Sequence, residues 1–151
     1  MTRLLLVPLL LLSASRVMAQ TTCAGVRDLA FGPVVRGVQV TVAPSDPIKS
    51  GRFYIRHILN RTVRVAFTLP TRLTRTGGGG NLPLTFTTTS AIAQGTGPSS
   101  VPVPFDPNTA ITFTLVTSSD FYVNLGGRVT PAANQATGNY TASITLTCTF
   151  M

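Results

Sequence analysis

Two cysteines, one histidine, four aspartates and a cluster of arginines are the residues of this 151-residue chain whose types could do chemistry. General acid–base catalysis needs two titratable groups that reach one reacting bond. The supply is small: His57 stands alone, glutamate is absent, and the acids are Asp28, Asp46, Asp106 and Asp120. Asp46-Pro47 and Asp106-Pro107 are ordinary turn chemistry. A hydrolase would have to be built around His57 and Asp120, without the strand–turn–helix serine elbow that G-x-S-x-G marks. The expectation is a protein that is not an enzyme. Two cysteines and one histidine are too few for a metal centre, and the aspartates lack the spacing of a calcium loop. No cofactor or metal site is expected. Gly77–Gly80 lacks the Lys-Ser/Thr and the helix that phosphate cradling requires, so it reads as a hairpin loop.

The cysteines depend on compartment. Met1-Thr2-Arg3 is a short basic start, Leu4 to Leu12 is apolar, and Val17-Met18-Ala19 is compact. That order is the pattern of a secretory signal peptide. The reading is therefore a signal over residues 1–19 and a single domain over 20–151, exported to the periplasm, cell surface or extracellular space. Nine apolar residues are too few to span a bilayer, and no transmembrane segment is expected. Gln20-Thr21-Thr22 before Cys23 does not suit a lipid anchor, which wants small apolar residues there. In an oxidising compartment Cys23 and Cys148 most simply form one disulfide that closes nearly the whole domain.

Arginine supplies most of the charge. Arg3 and Arg16 leave with the signal, which takes the formal net charge from +8 to +6. Arg52, Arg56, Arg61, Arg64, Arg72 and Arg75 then crowd one short stretch. A cationic stripe of this kind attracts polyanions. It lacks the interleaved aromatic platform of single-strand binders, so nucleic acid is not expected. An acidic surface polysaccharide is the alternative partner. A solvated sheet face that keeps the protein soluble is the plainer reading.

The elements that must position these residues read as strands. Charged residues are only 11% of the chain, and the scarcity of Glu and Lys argues against surface helices. The dominant period is two. Val63, Val65, Phe67 and Leu69 alternate with polar residues until Pro70. Phe53 and Ile55, Leu82, Leu84 and Phe86, and Ile111, Phe113 and Leu115 repeat the pattern. The last run is the longest: Tyr140, Ala142, Ile144, Leu146, Cys148 and Phe150 share one face of a predicted strand. Gly126-Gly127 interrupts an apolar strand, which predicts a bulge or a close backbone approach. Seven or eight short antiparallel strands in an all-β sandwich is the expected architecture.

Gly138 is the fourteenth residue from the C-terminus and Phe150 the penultimate one, with apolar alternation between them. This resembles the terminal-strand motif of bacterial chaperone–usher pilins. Leu29-Ala30-Phe31-Gly32 is similar to the L-x-F-G opening of spore-coat-U and Csu-type pilin domains. Arg52-Phe53, Thr68-Leu69-Pro70, Leu125-Gly126-Gly127 and Gly138-Asn139-Tyr140-Thr141 extend the likeness to a related exported bacterial family labelled a domain of unknown function. The resemblance implies an immunoglobulin-like sandwich and a structural or adhesive role at the envelope, with assembly into fimbriae. A periplasmic chaperone and other pilin-like subunits would be its partners, each adding a strand to the groove lined by Tyr140–Phe150. An inserted strand would hold its neighbours about 9.6 Å apart, whereas a disulfide needs Cα atoms within about 7 Å. A bond between strands flanking the groove would oppose insertion there; a bond at the groove's end would not.

Overall fold

The computed structural model describes residues 22–56, 61–96, 100–115 and 120–151, and every described element is a β-strand. Strands are numbered in chain order. The first sheet runs β1 (Thr22–Arg27), β3 (Gly51–Arg56), β10 (Phe121–Leu125), β7 (Ala91–Gly95) and β8 (Val103–Phe105). The second runs β12 (Tyr140–Thr141), β5 (Arg72–Arg75), β6 (Asn81–Thr85), β11 (Gly127–Val129) and β2 (Val40–Val42). The third holds β13 (Thr145–Phe150), β4 (Arg61–Thr68) and β9 (Ile111–Leu115). All the pairings are antiparallel. The chain is an all-β, sandwich-like protein.

The period-two runs bury the side they predict. Phe53 and Ile55 on β3, Val63 and Val65 on β4, and Val123 and Leu125 on β10 meet in one core between the first and third sheets. A second, smaller core of Leu82, Leu84 and Val129 lies under the second sheet, with Phe86 packed against both. Burial of these branched and aromatic side chains is the main force holding the layers together, at roughly 1.5–3 kcal/mol for each fully buried one.

Among the described residues thirteen strands replace the seven or eight expected. Part of the excess has one cause: long runs cross from one sheet to another and are cut in two. β4 ends before Pro70, which has no N–H to donate, and the chain resumes in the second sheet as β5. The terminal run follows its partner. Thr145 to Phe150 pair with β4, while Tyr140 and Thr141 pair with Arg75 and Thr74 of β5. The single strand expected over Tyr140–Phe150 is therefore two strands in different sheets. Leu146, Cys148 and Phe150 keep their half-buried face, but Ala142 is exposed and Ile144 lies between the strands.

Gly126 makes the third crossing, between β10 and β11. A Cβ there would lie 2.3 Å from the Val42 carbonyl oxygen and 2.7 Å from the Pro44 nitrogen. Only glycine permits that backbone crossing, and the close approach expected at Gly126-Gly127 is what the fold contains.

Candidate functional site

β1 and β13 are edge strands of the first and third sheets, and no ladder joins them among the described residues. Cys23 and Cys148 bridge the two edges with a disulfide whose Cα atoms are 6.3 Å apart. From that staple the seam widens. Gly25 of β1 faces Ile144, Thr145 and Leu146 across a small gap. Beyond it a cleft of about 1060 Å³ opens toward the second sheet. Leu29, Phe31, Val34, Leu73, Tyr140 and Ile144 line it, all of them half-buried.

Local hydrogen bonds hold the cleft walls. Arg27 at the end of β1 donates through Nε to the Ser50 carbonyl at 2.7 Å and through Nη2 to Ser50 Oγ at 2.9 Å. Ser50 Oγ donates in turn to the Asp46 carbonyl at 2.6 Å. The Asp46 carboxylate accepts the backbone N–H groups of Lys49 at 2.8 Å and Ile48 at 2.9 Å. Those two bonds hold its pKa below the usual carboxylate range. On the opposite wall Tyr140 donates to the Ala136 carbonyl at 2.6 Å and accepts from Gln135 Nε2 at 2.6 Å. Gly138, at φ +148°, lies against Arg75: a Cβ there would be 2.6 Å from Arg75 Nε. Arg75 Nε donates to the Thr137 carbonyl at 2.8 Å. The glycine of the terminal motif thus has a packing reason in this fold.

The six arginines do not form one stripe. Arg52 and Arg56 lie on β3 in the first sheet, Arg61 and Arg64 on β4 in the third, and Arg72 and Arg75 on β5 in the second. Tyr140 lies across from Arg75 in the second sheet, and Arg52 stacks on a tyrosine ring in the first. Register places Tyr54 opposite Tyr122, and Tyr122 opposite Gln94, on the solvent face of the first sheet. The tyrosine rings are 5.3 Å apart and tilted by 43°. The Arg52 guanidinium carbon sits 3.8 Å from the Tyr122 ring centre. Tyr54 donates its hydroxyl to Asp120 Oδ1 at 2.7 Å, and that bond to a carboxylate raises the Tyr54 pKa.

Asp120 is thus engaged with a tyrosine, and His57 lies outside the described residues. Among the described residues no group of three or more His, Cys, Asp or Glu side chains could hold a metal ion. No described helix is long and apolar enough to cross a membrane. The extent of the cleft was hidden in the sequence because its walls combine strands of the first and second sheets with the loops between them. Its legible traces were the motif Leu29-Ala30-Phe31-Gly32 and the first part of the terminal run, since Gly138, Tyr140, Ala142 and Ile144 line it too. The tyrosine pair was legible as two alternating runs, but nothing in either run indicates that they are neighbours. No protein-family model matches the chain, and no curated protein is significantly similar to it.

Proposed function

We propose that this chain is a non-enzymatic structural or adhesive subunit of the cell envelope or surface. It is an immunoglobulin-like, pilin-like domain that accepts an extended strand from another chain. The supporting observation is the seam between β1 and β13: two unpaired edges beside a cleft whose walls mix apolar and polar side chains. An open edge offers a row of backbone donors and acceptors to an added strand, and half-buried side chains beside it offer pockets. Export by a signal over residues 1–19, handling by a periplasmic chaperone and assembly with like subunits complete this reading.

The disulfide limits where a strand can enter. Flanking strands must stand about 9.6 Å apart to admit one, and the Cys23 and Cys148 Cα atoms are 6.3 Å apart. Entry is closed at that level. It is open from Gly25 and Ile144 onward, where the seam widens into the cleft. The test is assembly of the purified, disulfide-bonded chain from residue 20, followed by sedimentation and by gel electrophoresis without boiling. Oligomers that resist detergent and are lost in Ile144→Asp, with an unchanged circular dichroism spectrum, are expected. A chain that stays monomeric at every concentration, alone and beside its genetic neighbours' products, overturns the proposal.

A further inference from the structure

We propose that the solvent face of the first sheet is a binding site for a carboxylate-bearing polysaccharide, with Arg52 as its principal contact. This site lies apart from the seam and does not depend on strand addition.

The argument begins with Arg52 itself. Its guanidinium lies 3.8 Å over the Tyr122 ring, and its Nε is enclosed with no hydrogen-bond partner. Arg128 Nε on the second sheet is enclosed in the same way, so contact with a ligand falls to the outer guanidinium nitrogens of Arg52. Among the described residues no side-chain hydrogen bond joins it to a carboxylate; Asp120, which accepts from Tyr54, lies by register at the Arg56 end of the face. Stacking has already restricted the side chain, so a ligand oxyanion meets a pre-oriented fork of N–H donors.

The surroundings select the ligand. Pairing puts Asn124 beside Arg52 in one row, and Tyr122 and Gln94 beside Tyr54 in the next. Carboxamides and a phenol hydroxyl suit the hydroxyls of a sugar ring, since each can donate and accept. Arg56 extends the same face four residues further along β3, about 13 Å away at the rise of a strand. Two cations so placed suit a polymer better than a single small ion, with Arg56 the weaker contact because the Asp120 carboxylate lies at its end of the face. The tyrosine rings are engaged with each other and with Arg52, so they do not offer the open faces on which nucleobases stack.

The probe is polygalacturonate, with neutral dextran and inorganic polyphosphate as comparators. Intrinsic tyrosine emission can report binding directly, because the chain has no tryptophan and two of its three tyrosines are in the site. Polygalacturonate is expected to bind with an affinity that falls as salt rises, and dextran is not. Arg52→Gln should weaken binding by about tenfold or more, as losing a charge-assisted contact does. Arg64→Gln removes the same charge from another sheet and should change it by less than about twofold. Gln94→Ala and Asn124→Ala, which leave the charge intact, should each weaken it. The absence of binding to polygalacturonate overturns the proposal. So does equal weakening by Arg52→Gln and Arg64→Gln, which would mean attraction to net charge alone. Equal affinity for polyphosphate overturns it too, since the sugar would then contribute nothing.

Discussion

Cys23 and Cys148 join the first strand of one sheet to the last strand of another, with Cα atoms 6.3 Å apart across a seam that has no hydrogen-bonded ladder. The bond does at this point what a ladder does elsewhere: it keeps two edges together. It spans a sequence separation of 125 residues. Replacing both cysteines by serine should therefore cost about 4–5 kcal/mol in the chain-entropy model. Urea unfolding of the wild-type and Cys23→Ser/Cys148→Ser proteins measures the difference. The largest loss of amide protection should fall on β1 and β13.

Gly126→Ala should be among the most damaging single-methyl changes in the chain. The new Cβ would meet backbone atoms of Val42, Ala43 and Pro44, which cannot swing aside as a side chain would. Overpacking of this kind costs about 1–3 kcal/mol and sometimes more. Gly78→Ala is the control, because Gly78 has a positive φ of 86° but nothing within 4 Å of its added Cβ. It should lose only the left-handed backbone term of about 1–2 kcal/mol. Thermal unfolding of the two variants side by side tests the ranking.

Tyr54 should ionise above the ordinary tyrosine range, because ionisation ends its donation to Asp120 and leaves two negative charges together. A raised phenol pKa means that the interaction stabilises the fold fully below the unfolded value of about 10 and is lost as pH rises through the folded one. Asp120→Asn should bring the Tyr54 titration down. Ultraviolet difference absorbance of the tyrosinate, compared with Tyr54→Phe to assign the transition, reads the shift.

Ser50→Ala should loosen the turn behind β3. The hydroxyl is buried, accepts from Arg27 and donates to the Asp46 carbonyl, so its removal strands both partners. A loss of about 1–3 kcal/mol is expected for buried groups left unsatisfied. Acid should loosen the same turn. The lowered Asp46 pKa means its two backbone bonds contribute above the unfolded carboxylate value of about 3.9 and are lost as pH falls through the folded value. Amide exchange of Ile48 and Lys49 against pH follows this directly.

Much of the architecture was legible in the residues. Alternation of Phe53 and Ile55 with Arg52, Tyr54 and Arg56 determined which side of β3 is core, because a strand's side chains alternate with period two. The same logic held for Val63 and Val65, and for Leu146, Cys148 and Phe150. Two cysteines in a chain with no free third thiol left one intramolecular pairing, which is the one that forms. Gly126 announced a close approach through its interruption of an apolar run.

Tertiary structure alone decided where those strands lie. Period two says which face is buried but not which sheet does the burying, so the terminal run looked continuous although it crosses between sheets at Thr141–Thr145. The break follows from Pro70 on the partner side, a constraint visible only once Thr68 and Thr145 are paired. Six arginines close in sequence were likewise dispersed, because successive strands β3, β4 and β5 belong to three different sheets. What remained together is Arg52 with Tyr122, residues 70 positions apart in the chain, brought into contact by a cross-strand register that local pattern does not specify.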